Sequence, residues 1–389
     1  MRILIVTSWY PTNRNPESGT FFRDRAQILH KIGINIVVCS EIFYSSKKLF
    51  SVFFKQKIKF HIDELIPTYI SEGVNYFPKL EKLKFKLYKK RLIKLVNNTI
   101  QNEGVPDVVF INSTLLAGVA LADYLNDKKI PFIISEHLKE FLFPDSFSKF
   151  QRKIISHTYK LSSKIIATSS ALKKTISYSF PKYKSKISII PNPVDEDIFV
   201  KKQIIKKESC INIICVALLR PEKRIDLIIQ SFYELLQSGR ETKLTIVGDG
   251  PLKSKLINQI QELDISSSVK LKGYLSQKYI VQELHKNDFL VLASDMETFG
   301  VVLIEAQACG LPVVATDCGG PSDIISSDTG ILVKPGSIQE LTKGLIKMID
   351  SINNYKSEII RKKTIDQFGK HAYFDAIEGL VNNIISNSN

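Results

Sequence analysis

Cysteine and histidine are scarce in this sequence, and neither is grouped. The five cysteines include no Cys-x-x-Cys pair, and the six histidines are scattered along the chain. We therefore expect no metal centre and no disulfide framework, but reduced and mostly buried thiols, as in proteins of the cytosol.

Long apolar runs are also missing. Runs such as Ile3–Val6 and Val108–Ile111 have the length of a strand, whereas about 20 apolar residues are needed to cross a bilayer. The apolar run behind Met1 is too short for a secretory signal. These absences predict a cytoplasmic protein without a membrane-spanning segment.

The length and the charge distribution indicate the number of domains and the kind of partner. A chain of 389 residues exceeds one core of ordinary size and suits two domains. Residues 1–195 hold 31 basic and 15 acidic side chains, and the remainder is close to balance. The excess is densest in residues 47–94, with 13 basic and 4 acidic side chains. Such a segment suits an anionic membrane, an anionic substrate or nucleic acid, but also a solvated surface.

Short apolar strands alternate with helical patterns in both halves, which is typical of parallel α/β domains. The predicted strands are Ile3–Thr7, Ile34–Cys39, Val108–Ile111, Phe132–Ser135, Lys164–Thr168 and Ile187–Ile190, then Ile211–Ala217, Lys243–Val247, Val269–Leu271, Phe289–Leu292, Val313–Thr316 and Ile331–Val333. The predicted helices include Phe21–Lys31, Leu115–Asn126, Arg224–Gln237, Lys253–Glu262, Val301–Cys309 and Ile338–Ile349.

The junction between the halves is predicted at Pro191–Asp195, because two nearby prolines interrupt both helix and strand. The first domain then covers residues 1–195 and the second residues 205–370. A last helix, about His371–Ile385, has no following strand and no obvious partner in the second domain.

The segment Ser294–Ala306 is the strongest local signal, because it follows a predicted strand and opens a helix. Ligands of open α/β sheets bind at the carboxyl ends of strands, where helix N-termini offer free N–H groups. The N–H groups from Gly300 onward therefore suit a phosphate. Glu297 and Glu305 suit sugar hydroxyls, although a helix cap and a surface residue would give the same pattern.

Further strand-to-helix turns indicate an anionic ligand, each of them weakly. Gly319-Gly320 is expected to lie beside the turn at Gly300, and Gly248 lies in another glycine turn. That turn lacks the third glycine of the dinucleotide fingerprint and is also compatible with a plain connection. The three cations of residues 220–224 follow a strand and suit a diphosphate, or they are simply exposed.

Two features of the first half lie at similar positions. Gly19 is in the loop after the first strand, and His137 ends the segment Ser135-Glu136-His137. A histidine there suits contact with a hydroxyl or proton transfer, although a lone histidine is more often structural.

Together these segments resemble the retaining glycosyltransferases of family four, whose two Rossmann-like domains form the GT-B fold. The resemblance covers nearly the whole chain and is most specific from Glu297 to Gly320. It implies two parallel sheets that face a central cleft, with the segment 371–389 crossing back to the N-terminal, acceptor-side domain. One departure concerns the diphosphate: the family's usual arginine is replaced by Leu218, and Arg220 is the candidate to substitute for it.

The resemblance implies a role for each candidate residue. Glu305 is expected to bind the ribose hydroxyls and Lys223 the diphosphate. Glu297 and His137, the catalytic candidates, are expected to contact the transferred sugar. The other donor-binding candidates are Gly19, Arg220, Gly248, Tyr274, Phe299, Gly300 and Val301.

The implied reaction transfers a sugar from a UDP- or GDP-sugar to a glycan or lipid-linked acceptor in cell-surface polysaccharide synthesis. It retains the anomeric configuration and uses no metal or other cofactor. The segment 47–94 is then expected to meet an anionic membrane at its cytoplasmic face, and no nucleic acid. Two alternatives stay open: a sugar-nucleotide epimerase or glycogen-type synthase of the same fold, and a non-catalytic protein that binds a sugar nucleotide.

Overall fold

The computed structural model describes residues 1–12, 18–45, 57–75, 80–201 and 210–386. Residues 46–56 and 76–79 of the basic stretch, residues 202–209 of the expected linker and residues 387–389 of the last segment lie outside the described residues. The chain divides into two compact units. The first comprises Met1–Thr168, Leu172–Pro191 and Tyr373–Asn389, and the second Ser169–Ala171 and Asn192–Ala372.

Strands and helices alternate up to residue 189. In chain order they are β1 (Arg2–Thr7), α1 (Thr20–Lys31), β2 (Asn35–Ser45), β3 (Ile58–Asp63), β4 (Ile66–Asn75), α2 (Glu81–Glu103), β5 (Val108–Asn112), α3 (Val119–Asp127), β6 (Phe132–Glu136), α4 (Lys149–Leu161), β7 (Lys164–Ala167), α5 (Ser170–Ser179) and β8 (Ile187–Ile189).

The first sheet has the order β3-β4-β2-β1-β5-β6-β7-β8, and its pairs are parallel except β3 with β4. The chain runs outward from β1 to β2 and β4, and then from β5 to β8 on the other side. The order of strands therefore reverses between β1 and β5. Such a switch point leaves a crevice at the carboxyl ends of the two strands.

Alternate residues of β1 build two core layers. Leu4 and Val6 pack with α2, α3, α4 and α5, whereas Ile3 and Ile5 pack with α1 and with the last helix, α13 (Lys370–Ser386). Successive side chains of a strand point to opposite faces, so the sheet is covered on both sides. The terminal helix predicted near residues 371–385 thus completes the core of the first unit.

The first half differs from the sequence prediction in two details. The hairpin of β3 and β4 was not predicted, and the helix predicted from Leu115 begins at Val119. Leu115 (φ −67°, ψ 139°) and Leu116 (φ 72°, ψ −88°) are not helical, and a tight π-type turn covers Thr114–Gly118. The apolar run suggested a longer helix because its pattern continues through this turn.

The second unit holds the remaining elements. They are β9 (Ile211–Val216), α6 (Ile225–Gln237), β10 (Thr242–Val247), α7 (Lys253–Glu262), β11 (Val269–Leu271), α8 (Gln277–Lys286), β12 (Phe289–Leu292), α9 (Val301–Ala308), β13 (Val313–Thr316), α10 (Pro321–Ile324), β14 (Gly330–Val333), α11 (Ile338–Ser351) and α12 (Ser357–Phe368).

The second sheet is parallel throughout, with the order β11-β10-β9-β12-β13-β14. Helices α6, α7 and α11 pack on one face, and α8, α9 and α12 on the other. The order of strands reverses between β9 and β12, so this unit has its own switch point. Among the described residues, no helix is long and apolar enough to cross a membrane.

Candidate functional site

The switch point of the second unit brings two predicted segments together. The loop after β9 carries Lys223 and the loop after β12 carries Glu297, and the Nζ of Lys223 donates to Oε1 of Glu297. Ser294 Oγ donates to the same oxygen over 2.8 Å. The backbone N–H of Asp295 also donates to the carbonyl of Glu222 over 2.9 Å. The two loops are therefore joined by both side chains and backbone.

Helix α9 begins at Gly300, whose φ of 104° lies in the left-handed region. Glycine adopts this conformation without the strain that a side chain would cause. Leu303, Ile304 and the following apolar residues of α9 are buried, so the helix is enclosed by the core on most sides. Glu305 is partly exposed, as is Val301 four residues before it. Residues four apart share a helix face, so Glu305 lies on the face that opens beside the helix N-terminus.

The second glycine turn lies against the first, as expected. Glu297 and Gly319 form a parallel bridge, and the N–H of Gly320 donates to the carbonyl of Glu297 over 2.8 Å. A Cβ at Gly320 would stand 2.2 Å from Cα of Phe299. The ring of Phe299 is buried and lies 5.7 Å from that of Phe368, so Phe299 can offer only its backbone to a ligand.

The turn at Gly248 lies at the end of β10, next to β9. A Cβ at Gly248 would stand 1.9 Å from the carbonyl oxygen of Ala217. The close approach of these two backbones accounts for this glycine without any ligand. The N–H of Gly248 donates to the carbonyl of Gly273 over 2.8 Å, which places the exposed Tyr274 beside the same turn.

The cations of residues 220–224 differ in their surroundings. Arg224 forms ion pairs with Asp226 (3.3 Å) and Asp295 (3.1 Å), so its charge is already balanced. Arg220 is exposed, and within the described residues its guanidinium has no side-chain partner. Arg220 therefore carries the charge of this loop that no described side chain balances, whereas Lys223 is paired with Glu297.

In the first unit, His137 lies in a buried polar cluster built around Arg25 of α1. Arg25 Nη1 lies 2.7 Å from His137 Nε2 and 3.3 Å from Ser135 Oγ. Arg25 Nε donates to Tyr373 Oη over 2.9 Å, and the ring of Phe22 meets the imidazole edge to face at 5.1 Å. Sequence analysis did not identify Arg25, because its partners come from distant parts of the chain.

This geometry assigns the protonation of His137. Burial, and then the neighbouring charge of Arg25, lower the pKa of the imidazole well below its usual range. The ring is therefore neutral at pH 7. A guanidinium can only donate hydrogen bonds, so Nε2 is the acceptor and the proton resides on Nδ1. His137 can thus donate a hydrogen bond from Nδ1, but it is a poor general acid near neutral pH.

Glu136, the residue before His137, is fully buried at the end of β6. Its Oε1 accepts hydrogen bonds from Tyr159 Oη over 3.0 Å and from the N–H and hydroxyl of Thr114. Burial raises the pKa of this carboxyl to about 8. Glu136 is therefore protonated at neutral pH and fastens the strained turn of Thr114–Gly118 to the sheet.

Gly19 precedes α1 with a φ of 74°. A Cβ there would stand 2.5 Å from the carbonyl oxygen of Trp9, so the start of α1 approaches the loop after β1 closely. Residues 13–17 of this loop lie outside the described residues. Among the residues that are described, no group of three or more His, Cys, Asp or Glu side chains could hold a metal ion.

Two family models match this sequence. The model described as "Glycosyl transferases group 1" matches residues 196–365, and the model described as "Glycosyltransferase Family 4" matches residues 63–198. The first therefore covers the candidate site of the second unit, and the second covers His137.

Relatives and solved structures of the same kind match over most of the chain. A Bacillus subtilis protein, provisionally named a teichuronic acid biosynthesis glycosyltransferase, is 26% identical over 380 residues, which is 94% of this chain and 92% of its own. Anabaena HepE, solved with UDP-glucose, has a TM-score of 0.72 at 19% identity over 98% of this chain and all of its own. Sucrose-phosphate synthase of Thermosynechococcus elongatus has a TM-score of 0.76 at 15% identity over the full length of both chains. At these identities the two structures show the fold.

Proposed function

Because this chain belongs to the glycosyltransferases of the family-four type, with the GT-B fold, we propose that it moves a sugar from a UDP- or GDP-sugar to a glycan or lipid-linked acceptor. The name of the Bacillus relative supports a role in a cell-surface polysaccharide. The complex of HepE with UDP-glucose supports a nucleotide-sugar donor. The observation that carries the proposal is the Lys223–Glu297 pair beside the N-terminus of α9.

The donor occupies the switch point of the second unit. Glu305 accepts hydrogen bonds from the ribose hydroxyls, and Tyr274 and the turn at Gly248 lie near the base. The diphosphate lies at the first N–H groups of α9, where Gly300 and Val301 supply donors and the helix dipole favours negative charge. Glu297 accepts hydrogen bonds from hydroxyls of the transferred sugar.

Lys223 stabilises the leaving diphosphate. A lysine ammonium has three N–H donors, and its contact with Glu297 uses one of them. The ammonium can therefore keep the carboxylate in place while it donates to a phosphate oxygen. Arg220 adds a second cation. Positive groups fixed where negative charge develops lower the barrier without a metal ion.

The reaction retains the anomeric configuration. Glu297 is not the nucleophile of a double displacement in this proposal, because Lys223 and Ser294 both donate to its Oε1 and hold that oxygen in place. Instead, the acceptor hydroxyl attacks from the face that the diphosphate leaves. The C–O bond to the diphosphate breaks, the bond to the acceptor oxygen forms, and the hydroxyl proton passes to the departing phosphate.

The acceptor side works at the inner face of a membrane in this proposal. The described part of the basic stretch includes α2, whose lysines give it a strongly positive exposed surface. Such clusters bind anionic lipid by about 1 kcal/mol per charge near the surface. Flotation with vesicles that contain anionic lipid is expected to carry the protein upward. Equal flotation with neutral vesicles would contradict the proposed binding of the basic stretch to anionic lipid.

Thermal shift tests the donor site. UDP, GDP, ADP and their common sugar conjugates are compared on the wild type and on Glu305→Ala. A ligand at 100 times its Kd stabilises the folded state by about 2.7 kcal/mol. We expect one nucleotide to raise the melting temperature of the wild type and to have little effect on the variant.

Glu262→Ala is the matched control, because Glu262 is an exposed carboxylate at the end of α7. It is expected to respond to the nucleotide like the wild type. A nucleotide that stabilises the wild type and Glu305→Ala equally would show that the ribose is bound elsewhere. A transferase assay with the nucleotide-sugar so identified then separates the proposal from a non-catalytic binding protein.

A further inference from the structure

Arg25 of α1 carries a positive charge that its surroundings do not balance. It is the one buried arginine among the described residues, with 7% of its surface exposed. An arginine side chain keeps its charge in proteins. A buried charge costs free energy unless an opposite charge and hydrogen bonds replace its hydration. The groups around Arg25 therefore decide whether this cation is complete without a ligand.

None of the groups that contact Arg25 supplies negative charge. Nε donates to Tyr373 Oη over 2.9 Å. Nη1 lies 3.5 Å from Asn112 Oδ1, 3.3 Å from Ser135 Oγ and 2.7 Å from His137 Nε2. The imidazole is neutral or positive, whichever its protonation state. Among the described residues, no carboxylate forms an ion pair with Arg25.

The hydrogen bonds also leave one donor of Arg25 unused. A guanidinium has five N–H groups, two of them on each terminal nitrogen. Within the described part of the chain, Nη2 has one acceptor, Ser135 Oγ at 3.3 Å, and Nη1 shares it. One N–H of Nη2 is therefore left for an acceptor that these residues do not provide. A negatively charged acceptor would balance the charge at the same time.

Two other arginines of the first unit have such an acceptor. Arg23, two residues earlier on α1, forms an ion pair with Asp63 over 2.8 Å. Arg91 of α2 is paired with the fully buried Glu41. The chain thus provides a carboxylate for each of these arginines, but not for Arg25. This difference indicates that the balancing charge of Arg25 comes from a ligand.

The groups around Arg25 lie where a ligand can reach them. Asn112 ends β5, and Ser135 and His137 lie at the end of β6, which is the end of parallel strands at which ligands bind. His137 is partly exposed, and the ring of Phe21 in the first turn of α1 lies 5.4 Å from its imidazole. That turn has no acidic residue and no side-chain cap. The positive end of the helix dipole therefore adds to the attraction for an anion.

We propose that Arg25 binds the carboxylate of a hexuronic acid, so that the transferase acts on an acidic sugar. One carboxylate balances the single charge of Arg25 and accepts the unused N–H of Nη2. Nδ1 of His137 is then left to donate to a hydroxyl of the same sugar. The inference rests on the proposed function, because it names the class of sugar that the reaction uses. The carboxylate belongs either to the nucleotide-activated sugar or to the acceptor, and binding measurements distinguish these two sources.

Calorimetry with matched nucleotide-sugars tests the donor as the source. The pairs are UDP-glucuronate with UDP-glucose, and GDP-mannuronate with GDP-mannose, whose members differ only at C6. A hydrogen bond to a charged group changes binding by about 10–100-fold. We expect the acidic member of one pair to bind the wild type tighter by about tenfold or more. Arg25→Gln should bind both members alike.

The acceptor is tested as the source with p-nitrophenyl β-glucuronide and p-nitrophenyl β-glucoside. They are titrated with the stabilising nucleotide present or, if no nucleotide stabilises the protein, without one. If the acceptor carries the carboxylate, the nucleotide-sugar pairs bind alike. The glucuronide then binds the wild type tighter than the glucoside by about tenfold or more, and this preference is absent from Arg25→Gln.

Arg23→Gln is the matched control, because it removes the same group from the same helix where Asp63 already balances the charge. It is expected to keep the preference of the wild type. If Arg25→Gln does not fold, Arg25→Ala serves in its place, and Arg25→Lys, which keeps the charge, should retain part of the preference. Each preference compares two ligands on one protein, so a change in overall stability does not produce it.

Two outcomes would overturn the inference. One is equal binding of the acidic and neutral sugars in both sets of titrations, and the other is the same preference in the wild type and in Arg25→Gln. The nucleotide thermal shift decides the donor site separately, because it concerns residues of the second unit. A nucleotide response without any preference for an acidic sugar would refute the role of Arg25 and leave the donor proposal intact. A preference for the glucuronide without any nucleotide response would do the opposite.

Discussion

The switch points of the two units differ in the polarity of the side chains that surround them. Between β9 and β12 the loops present Lys223, Glu297 and the start of a helix. Between β1 and β5 they present mainly apolar side chains. Two titratable groups near the first switch point are also neutral at pH 7, since burial raises the pKa of Glu136 to about 8 and lowers that of His137 well below its usual range.

The difference shows how one topology can present two chemically different surfaces. Where β-strands diverge at a sheet's centre, the backbone leaves a crevice whatever its sequence. The loop residues then decide whether the crevice suits a charge. In the second unit Glu297 has the cation Lys223 as its partner and stays partly exposed. In the first, Glu136 accepts hydrogen bonds from the neutral groups of Thr114 and Tyr159, and desolvation keeps it protonated.

Lys223→Ala removes a positive charge from the switch point of the second unit and should have the largest effect on turnover. It removes the ammonium from the leaving diphosphate and from Glu297. Turnover should fall about 10²–10³-fold, which corresponds to about 2.7–4 kcal/mol of transition-state stabilisation. The measurement is kcat with the donor identified by thermal shift.

Lys343→Ala is its control, since Lys343 forms an exposed ion pair with Glu340. Exposed pairs contribute little, about 0–1 kcal/mol, so turnover should change less than about twofold. Similar rates for both variants would mean that Lys223 is not needed for departure of the diphosphate.

Gly248→Ala should be more destabilising than Gly336→Ala, although both glycines have positive φ (142° and 74°). At Gly336 nothing lies within 4 Å of an added Cβ, whereas at Gly248 the carbonyl oxygen of Ala217 is 1.9 Å away. We expect about 1–2 kcal/mol for Gly336→Ala from the conformation alone. Gly248→Ala should cost about 1–3 kcal/mol more. Thermal unfolding compares the two, and equal midpoints would show that the backbone contact is unimportant.

Glu136→Gln should sharpen the neutral side of the comparison, with an effect that grows as the pH rises above about 4.3, the pKa of the carboxyl in the unfolded chain. The carboxyl has a pKa near 4.3 when unfolded and about 8 when folded. Between these values the folded protein holds a proton that the unfolded chain releases. Raising the pH therefore lowers the stability of the wild type, at most by about 1.4 kcal/mol per pH unit, until the loss is complete above pH 8.

Glutamine has the shape of the protonated acid and no proton to lose. Compared with its value at pH 5, the advantage of the variant over the wild type in free energy of unfolding should therefore grow by about 2.5 kcal/mol up to pH 7, because each pH unit costs the wild type up to about 1.4 kcal/mol. Melting temperatures from pH 5 to pH 8.5 measure this difference. Parallel curves for the two proteins would show that Glu136 is ionised in the folded state.

The sheets were predictable where the strands are buried on both faces. Phe289–Leu292 and Val313–Thr316 have the predicted bounds, because buried parallel strands are continuous apolar runs. The hairpin of β3 and β4 was missed for a local reason. Its turn uses Glu64 (φ 47°) and Leu65 (φ 73°), where such turns usually have Asn-Gly.

The residues of the candidate site also fall into those that the sequence predicts and those that it does not. The glycine turns, and the positions of Glu297 and Lys223 in loops that follow strands, were predicted from the sequence, whereas the contact between these two side chains was not. Arg25 and Glu136 do not, because their surroundings are built by residues far away in sequence. Tyr373, for example, reaches Arg25 from the last helix, and no local pattern indicates that contact.

That last helix has a consequence for synthesis of the chain on the ribosome. Ile377 and Val381 of α13 pack on Ile3 and Ile5 of β1, yet the whole second unit is translated between these two segments. At about 5–20 residues per second, one face of the first sheet stays exposed to solvent for many seconds until α13 has been synthesised. Nascent chains stalled before Lys370 should therefore expose this face and attract chaperones, although nearly all of the second unit has already been synthesised.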